Sequence, residues 1–449
     1  MGTEKPKFEL FRQFSGKFAL FWVILPNICA IAMWPVGGPS AAHGIFASGL
    51  LAILFCTVDR VWVRRVGLAI CFALSTLLFI ASSFNLELTK ALSSLVYLSE
   101  LNIGTSPEYV AAALLIVVAL LAGLKFGAHV PRLALPGQKL MALAPIALLV
   151  NVDMVATAGT RGSYKSSAPA DAPIDSAVLR NQISPKQIAA RHLVVIMVES
   201  LGTPNNDYDR ALYEKAWGNG RWSGRYDVSS GTTTYYGSTT NAELRELCAV
   251  WSDYQSYAFG KPDCLPWQFR KAGFDTTAIH SFSGSFFDRQ TWYPKLGFER
   301  RIFEPELLAM GAAKCGGVFG GVCDTDIPHL IGDRLRQAGS KRQLVYWLTL
   351  NSHLPVAADE SLHTQTCSTG NAQWDAKRPM LCRVYAIHQK LADAVAAEVM
   401  RPDFPDADIL IVGDHMPPFF QRDMRTRYDD RHVPWIMLRR HHQTAAPRS

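Results

Sequence analysis

The chain has 449 residues, more than one typical domain, and 49% of them are hydrophobic. The apolar residues are not evenly spread: long apolar runs dominate from about residue 18 to 158, and after about 190 the composition is that of a mixed globular protein. The net charge of +7 comes without a basic stripe or nucleic-acid motif, which excludes a nucleic-acid partner and leaves loops and a surface facing anionic lipid.

Five apolar runs open the chain: FALFWVILPNICAIAMW (18–34), AAHGIFASGLLAILFCTV (41–58), VGLAICFALSTLLFIASSF (66–84), YVAAALLIVVALLAGL (109–124) and LMALAPIALLVNVDMVATA (140–158). Each approaches the roughly 20 residues that span a hydrocarbon core, although the fourth is short and His43 interrupts the second. One such run could be a buried core helix; five in succession predict a transmembrane domain over 1–158. Lys5, Lys7, Arg12 and Lys17 precede the first run. Arg60, Arg64 and Arg65 fall between the second and third, and Lys125, Arg132 and Lys139 between the fourth and fifth. The other two loops carry only Lys90, so the N-terminus is expected in the cytoplasm and everything beyond 158 outside. The first run has no small-residue cleavage site and reads as a retained span. The stretch 91–101 is expected to lie along the outer interface.

Residues 159–190 read as a linker, rich in Ser, Pro, Ala and Gly up to 188, and 191–449 as a second domain. Three of the nine cysteines, Cys29, Cys56 and Cys71, lie within spans. The other six form near neighbours, Cys248/Cys264, Cys315/Cys323 and Cys367/Cys382. An even number in an outside compartment suggests disulfides; nearest-neighbour pairing is preferred among the connectivities that remain open.

In the second domain, HLVVIMVES (192–200), FDTTAIHS (274–281), QLVYWLTLNSH (343–353) and ADILIVGDH (407–415) read as buried strands. Helix-like segments at 265–273, 326–339 and 381–400 alternate with them, which predicts an α/β domain with a mostly parallel sheet. Each strand ends in candidate chemistry: Glu199 and Ser200, His280, His353, then Asp414 and His415. Ligands bind at the carboxyl ends of such strands. Asp414 and His415, with Glu199, supply the mixed carboxylate and imidazole donors that Zn²⁺ and Mn²⁺ accept; for Glu199 alone an ion pair or a helix start is the competing reading.

In YYGSTTNAELRELC (235–248), Thr240 and Glu243 match a capping box. Thr239 then stands just ahead of the cap, near the positive helix end, where a metal would ease its deprotonation. Ser238 remains the alternative nucleophile. Asp324 and Asp326 are expected to cap a helix near Ile327, Trp292 and Tyr293 to be core, His432 to be a loop residue, and the His pair at 441–442 to be a solvated tail.

Taken in order, these motifs resemble the sulfatase-like branch of the alkaline phosphatase superfamily, and most closely its membrane phosphoethanolamine and phosphoglycerol transferases, the group of lipoteichoic acid synthase. VVIMVES looks like the first strand with its metal-binding Glu, and GSTTNAE is similar to the family's G-K-T-S-D-x-E. HSFSGSFFDRQTWYPKLGF resembles a segment that supplies an Arg to the substrate, LTLNSHLP a strand-end His motif, and GDH the last metal pair. The resemblance implies an alkaline-phosphatase-like fold behind five membrane helices, in a bacterial inner membrane with the catalytic domain periplasmic. It implies one divalent metal, Zn or Mn, on Glu199, Thr239, Asp414 and His415, with Thr239 also the nucleophile. It implies Arg289 and His353 as substrate ligands, with His280 orienting Arg289 or lining the cleft. The implied reaction moves a head group from a membrane phospholipid to a glycan or lipid hydroxyl through a phospho-threonine. A sulfatase or phosphodiesterase is the alternative, although no C/S-x-P-x-R motif follows Glu199. Ser238 stands where the family has Lys, Phe287 where it has Trp and Asp288 where it has Asn.

Overall fold

The computed structural model describes residues 15–34, 40–83, 107–157, 168–260, 263–419 and 421–441. The stretch 91–101, the N-terminal basic residues up to Arg12, Lys90, the first part of the expected linker and His442 lie outside the described residues. The chain divides into two compact units, Met1–Ser167 and Ala168–Ser449.

In the first unit the apolar runs form helices. Gly16–Met33, Val61–Ser83 and Pro136–Ala156 are long and apolar enough to cross a membrane. The other two of the five expected spans are shorter: Ala42–Cys56, and Ala113–His129 as the described apolar part of the fourth run. Fifteen residues at 1.5 Å each rise about 22 Å, short of the ~30 Å core. The first helix is irregular. It passes through a π segment, Ala19–Ile24, and a 3₁₀ turn, Leu25–Asn27, because Pro26 has no N–H to give to the helical ladder. Several described polar side chains inside this unit are partnered. Asn27 Nδ2 donates to Val23 O at 2.7 Å, and Asp153 accepts from Trp34 Nε1, Ser40 Oγ and Ala41 N at 2.7–2.9 Å. Arg64 donates to Cys56 O, Ala128 O and Val130 O, which ties together the two loops that carry most of the basic residues.

The second unit is built on a seven-stranded sheet. Its strands are β1 (His192–Val198), β2 (Tyr226–Thr234), β3 (Phe274–His280), β4 (Arg300–Ile302), β5 (Arg342–Leu348), β6 (Ala407–Gly413) and β7 (His432–Arg440), in the order β2-β7-β6-β1-β5-β3-β4. β1 pairs in parallel with β5 and β6, and β3 with β4 and β5. β7 runs antiparallel to both β6 and β2, so the sheet is mixed at one edge. The continuous apolar reading of β1 has a direct cause. Val194, Ile196 and Val198 enter one core with Trp217, Trp222 and Leu391, while Leu193, Val195 and Met197 enter the opposite core with Leu244, Phe269 and Tyr346. Alternate side chains point to opposite faces, and both faces are covered.

Helices Leu265–Lys271, Ile327–Arg336 and Pro379–Val399 fall where helix-like segments were expected. β2, with the sequence YDVSSGTTT, and the three-residue β4 were not expected; both lie at sheet edges, where exposed faces need no apolar pattern. Three disulfides join Cys248 to Cys264, Cys315 to Cys323 and Cys367 to Cys382.

Candidate active site

The middle strands deliver their chemistry at one end of the sheet. Glu199 follows β1 and Asp414 and His415 follow β6; because these strands are parallel neighbours, with Val198 paired to Gly413, the three side chains emerge together. Each offers a donor atom within 4.8 Å of the others' donors. Ser200 locks the two exits to one another. Its N–H donates to Asp414 Oδ1 at 2.8 Å and its hydroxyl to Glu199 Oε1 at 2.9 Å, from a left-handed backbone with φ 57°. A non-glycine residue held there stores strain of roughly 1–3 kcal/mol, and such strain gathers at functional sites.

Thr239 completes the group. Its Oγ1 lies 2.9 Å from Asp414 Oδ2, 3.2 Å from Glu199 Oε2 and 3.3 Å from His415 Nε2. It is the first residue of the helix Thr239–Cys248, and the cap differs from the expected one. Ser238 is the N-cap, its N–H donating to Asn241 Oδ1 at 2.9 Å. Thr240 and Glu243 do not form the box, because Glu243 is turned inward to other partners. The shift moves Thr239 from ahead of the cap to the first helical turn, where the unpaired N–H groups and the positive helix end face the site.

A ring of side chains that sequence reasoning missed holds this arrangement. Glu199 N donates to Thr349 Oγ1, and Glu199 O accepts from Ser352 Oγ at 2.6 Å and meets His388 Nε2 at 3.2 Å. Arg245 donates to Gly413 O and Asp414 O while pairing with Glu246, whose carboxylate also accepts Ala177 N and Val178 N. His388 and Arg245 are scattered polar residues on helices; nothing in the sequence separates them from surface positions.

The electrostatics fit a cation. Burial, and then the facing Glu199 carboxylate, push Asp414 up to about 7. Burial would lower His415, but Asp414 and Glu199 carry it above the usual imidazole range. His415 Nδ1 lies 2.9 Å from Met416 O and donates its proton there, which leaves Nε2 facing the carboxylates. Two carboxylates, an imidazole nitrogen and a hydroxyl converging in a buried space match the donor set of Zn²⁺ or Mn²⁺.

The expected substrate residues fall in different places. His353 follows β5; its Nδ1 is 2.8 Å from Leu354 O, and its ring is flanked by Phe319 and Phe286. Burial lowers it to about 4, so the ring is neutral, and it feels the charges of His415 and Asp414. Arg289 lies against the helix Thr239–Cys248. It is 1% exposed, and its guanidinium is engaged by Glu243, at 2.9 Å from Nη2 and 3.1 Å from Nε, and by Phe286 O. Tyr293 and Tyr346 donate to the same Glu243. A buried charge needs a buried partner, and Glu243 was read as a cap, so the pair was not visible in the sequence. Arg289 therefore ties the helix Thr239–Cys248 to the loop after β3. Before it, Phe287 and Asp288 both adopt left-handed backbone, with φ 55° and 54°. His280 is buried, its Nδ1 meets Leu348 O at 3.2 Å, linking the ends of β3 and β5, and it feels the charge of Arg289.

Asp326 stands at the N-cap of the helix Ile327–Arg336, but neither its side chain nor that of Asp324 makes a cap bond. Asp324 is buried and accepts from Ser281 Oγ, Leu350 N and Asn351 N, binding the ends of β3 and β5; Asp326 accepts Ala313 N. His432 opens β7 and pairs with Asp429 at 3.1 Å; Trp292 and Tyr293 are core.

A mixed sheet thus gathers a hydroxyl, two carboxylates and an imidazole at its strand ends, in a chain that also carries apolar helices. The Sulfatase family model matches residues 191–446, more than half of the chain, and the protein belongs to the sulfatase family. No curated protein sequence matches the chain. Among solved structures it is similar to the lipooligosaccharide phosphoethanolamine transferase EptA of Neisseria meningitidis, at 13% identity over 95% of this chain and 88% of that one, with a TM-score of 0.45. It is also similar to the lipoteichoic acid synthase LtaP of Listeria monocytogenes, at 13% identity over 57% of this chain and 66% of that one, with a TM-score of 0.44. A third similar structure is the phosphoglycerol transferase GacH of Streptococcus pyogenes in complex with sn-glycerol-1-phosphate, at 16% identity over 56% and 69%, with a TM-score of 0.39. The chain spans just under two thirds of the Listeria protein's length.

Proposed function

We propose that the protein is a membrane phosphotransferase that moves a phosphoethanolamine or phosphoglycerol head group from a membrane phospholipid to a glycan or lipid hydroxyl. The observation that carries this reading is Thr239 Oγ1 seated among Glu199, Asp414 and His415 at a helix N-terminus. Glu199, Thr239, Asp414 and His415 would hold one divalent cation, Zn or Mn, which when bound lowers the pKa of a coordinated hydroxyl and neutralises phosphoryl oxygens.

Thr239 Oγ attacks phosphorus, and its proton passes to Asp414 Oδ2, 2.9 Å away. The bond from phosphorus to the diacylglycerol oxygen breaks, and that oxygen leaves with a proton from solvent. The acceptor hydroxyl then attacks the phospho-threonine from the open side. Its proton goes to His353 Nε2, the nitrogen left free when Nδ1 donates to Leu354 O. The bond to Thr239 Oγ breaks, Asp414 Oδ2 returns the proton to that oxygen, and His353 releases its proton to solvent. Helix N–H groups face the phosphoryl oxygens through both displacements. Apolar helices in the same chain keep such a site near a lipid donor. The basic loops support a cytoplasmic N-terminus and a periplasmic catalytic domain in a bacterial inner membrane.

Mass spectrometry of enzyme incubated with phosphatidylethanolamine and phosphatidylglycerol tests the reading. A head-group phosphate adduct on Thr239 is expected, its mass naming the donor, and Thr239→Ala is expected to fold and lose all transfer. Full transfer by Thr239→Ala refutes it. Sulfate release, or phosphodiester turnover with water as the sole acceptor, favours a hydrolase of the same family.

A further inference from the structure

We propose that the loop closed by the Cys315–Cys323 disulfide is a positioning device for His353, with Phe319 at its tip setting the angle at which the imidazole meets the acceptor hydroxyl. The proposal rests on the phosphotransfer reading above. The loop reads CGGVFGGVC, and four of its nine residues are glycine. Glycine loses the most backbone freedom on folding, so such a loop keeps one shape only where other bonds hold it.

Those bonds are present. The disulfide closes the loop's ends, and Cys315 N donates to Gly321 O at 2.8 Å and Cys323 N to Ala313 O at 2.9 Å. Val322 N donates to Ser281 O at 2.8 Å, fastening the loop to the end of β3. From the other side, Gly316 N donates to Ser361 Oγ at 2.7 Å and Gly317 N to Asp359 Oδ2 at 3.2 Å. A Cβ on Gly321 would meet Ser281 O at 2.3 Å, so only glycine allows this seating.

The loop delivers one aromatic ring. Phe319 lies 4.0 Å, centroid to centroid, from the ring of His353, tilted by 48°. Phe286 flanks the same imidazole at 6.4 Å, and Phe282 and Phe286 buttress Phe319 at 6.2 and 5.9 Å. Rings this close leave no room for a ligand between them, so they form a packed wall and not a cage. The Nδ1 bond to Leu354 O comes from the adjacent residue and fixes the tautomer. The ring's lateral position is left to the wall, and Phe319 is its nearest member. Phe319 is thus a positioning residue that acts through His353.

The test uses the full-length protein in mixed micelles of phosphatidylethanolamine and phosphatidylglycerol, the glycerol hydroxyls serving as acceptor, with steady-state diacylglycerol release, which requires both displacements, as the readout. Phe319→Ala is expected to lower kcat about tenfold with KM for lipid nearly unchanged, and Phe319→Leu to restore most of it. Cys315→Ser with Cys323→Ser is expected to match Phe319→Ala, and all three changes together to be no worse than either set, as residues acting through one contact behave. Thermal melts and bound-metal content of each variant separate lost positioning from lost fold. Wild-type kcat in folded Phe319→Ala, or fully additive losses, overturns the proposal. If Phe319→Ala does not fold, wild-type kcat in both Phe319→Leu and the disulfide-free pair overturns it. Activity in Thr239→Ala fails the phosphotransfer reading instead; an inactive Thr239→Ala beside an unslowed Phe319→Ala fails this proposal alone.

Discussion

Asn241 bonds in two directions, its Oδ1 accepting Ser238 N and its Nδ2 donating to Ser252 O at 2.9 Å. Asn241→Ala removes both bonds and leaves the cap open, a loss of about 1–2 kcal/mol that a thermal melt reads directly. Gly237 beside it has φ +76°, and a Cβ there would meet Asn241 Oδ1 at 2.2 Å. Asp324 gives a pH signature. Burial raises it from 3.8 to about 6, so between those values the folded protein binds a proton that the unfolded chain has released. Its contribution is therefore full below pH 3.8 and lost as pH rises through 6; denaturant melts from pH 4 to 8 are expected to show the fall in wild type and a flatter profile in Asp324→Asn. Thr239, Asp414 and His415 could be picked out in the sequence because each combines a reactive side chain with a strand end or helix start. Arg289 could not be placed, because an arginine followed by aromatics reads alike whether its partner is a substrate or the buried Glu243.

At the scale of elements, the site depends on how tightly two strand exits approach. A Cβ on Gly413 would meet Leu201 O at 2.1 Å, backbone that cannot move without shifting Ser200. Gly413→Ala is expected to part Glu199 from Asp414 and weaken Zn²⁺ or Mn²⁺ binding at least tenfold in calorimetry, with the α/β fold retained. The helix Thr239–Cys248 is fastened in its second turn by Glu243 on Arg289 and by Arg245 on the carbonyls of Gly413 and Asp414. Glu243→Ala would leave Arg289 buried and unpaired, a destabilisation of roughly 3–5 kcal/mol measurable by denaturant unfolding. The buried strands β1, β3, β5 and β6 were legible because both of their faces are covered. β2 was not, because a strand of Ser, Gly and Thr takes its order from the hydrogen bonds that β7 supplies.

Across the whole molecule, the proposed metal links the chemistry to stability. A ligand at 100 times its Kd adds about 2.7 kcal/mol to the folded state, so chelation is expected to lower the catalytic unit's melting midpoint and Zn²⁺ or Mn²⁺ to restore it. Composition and hydropathy by themselves determined that the chain joins apolar helices to an α/β domain, because burial in lipid and burial between two helical layers each leave an unmistakable apolar run. The order of strand-end motifs also determined which residues to gather. Only the tertiary structure decided the mixed edge of the sheet, the Ser238 cap, the inward turn of Glu243 and the seat of Phe319 on His353. Each of those rests on a partner distant in the chain, and a pairwise contact between distant residues leaves no periodic trace in either segment.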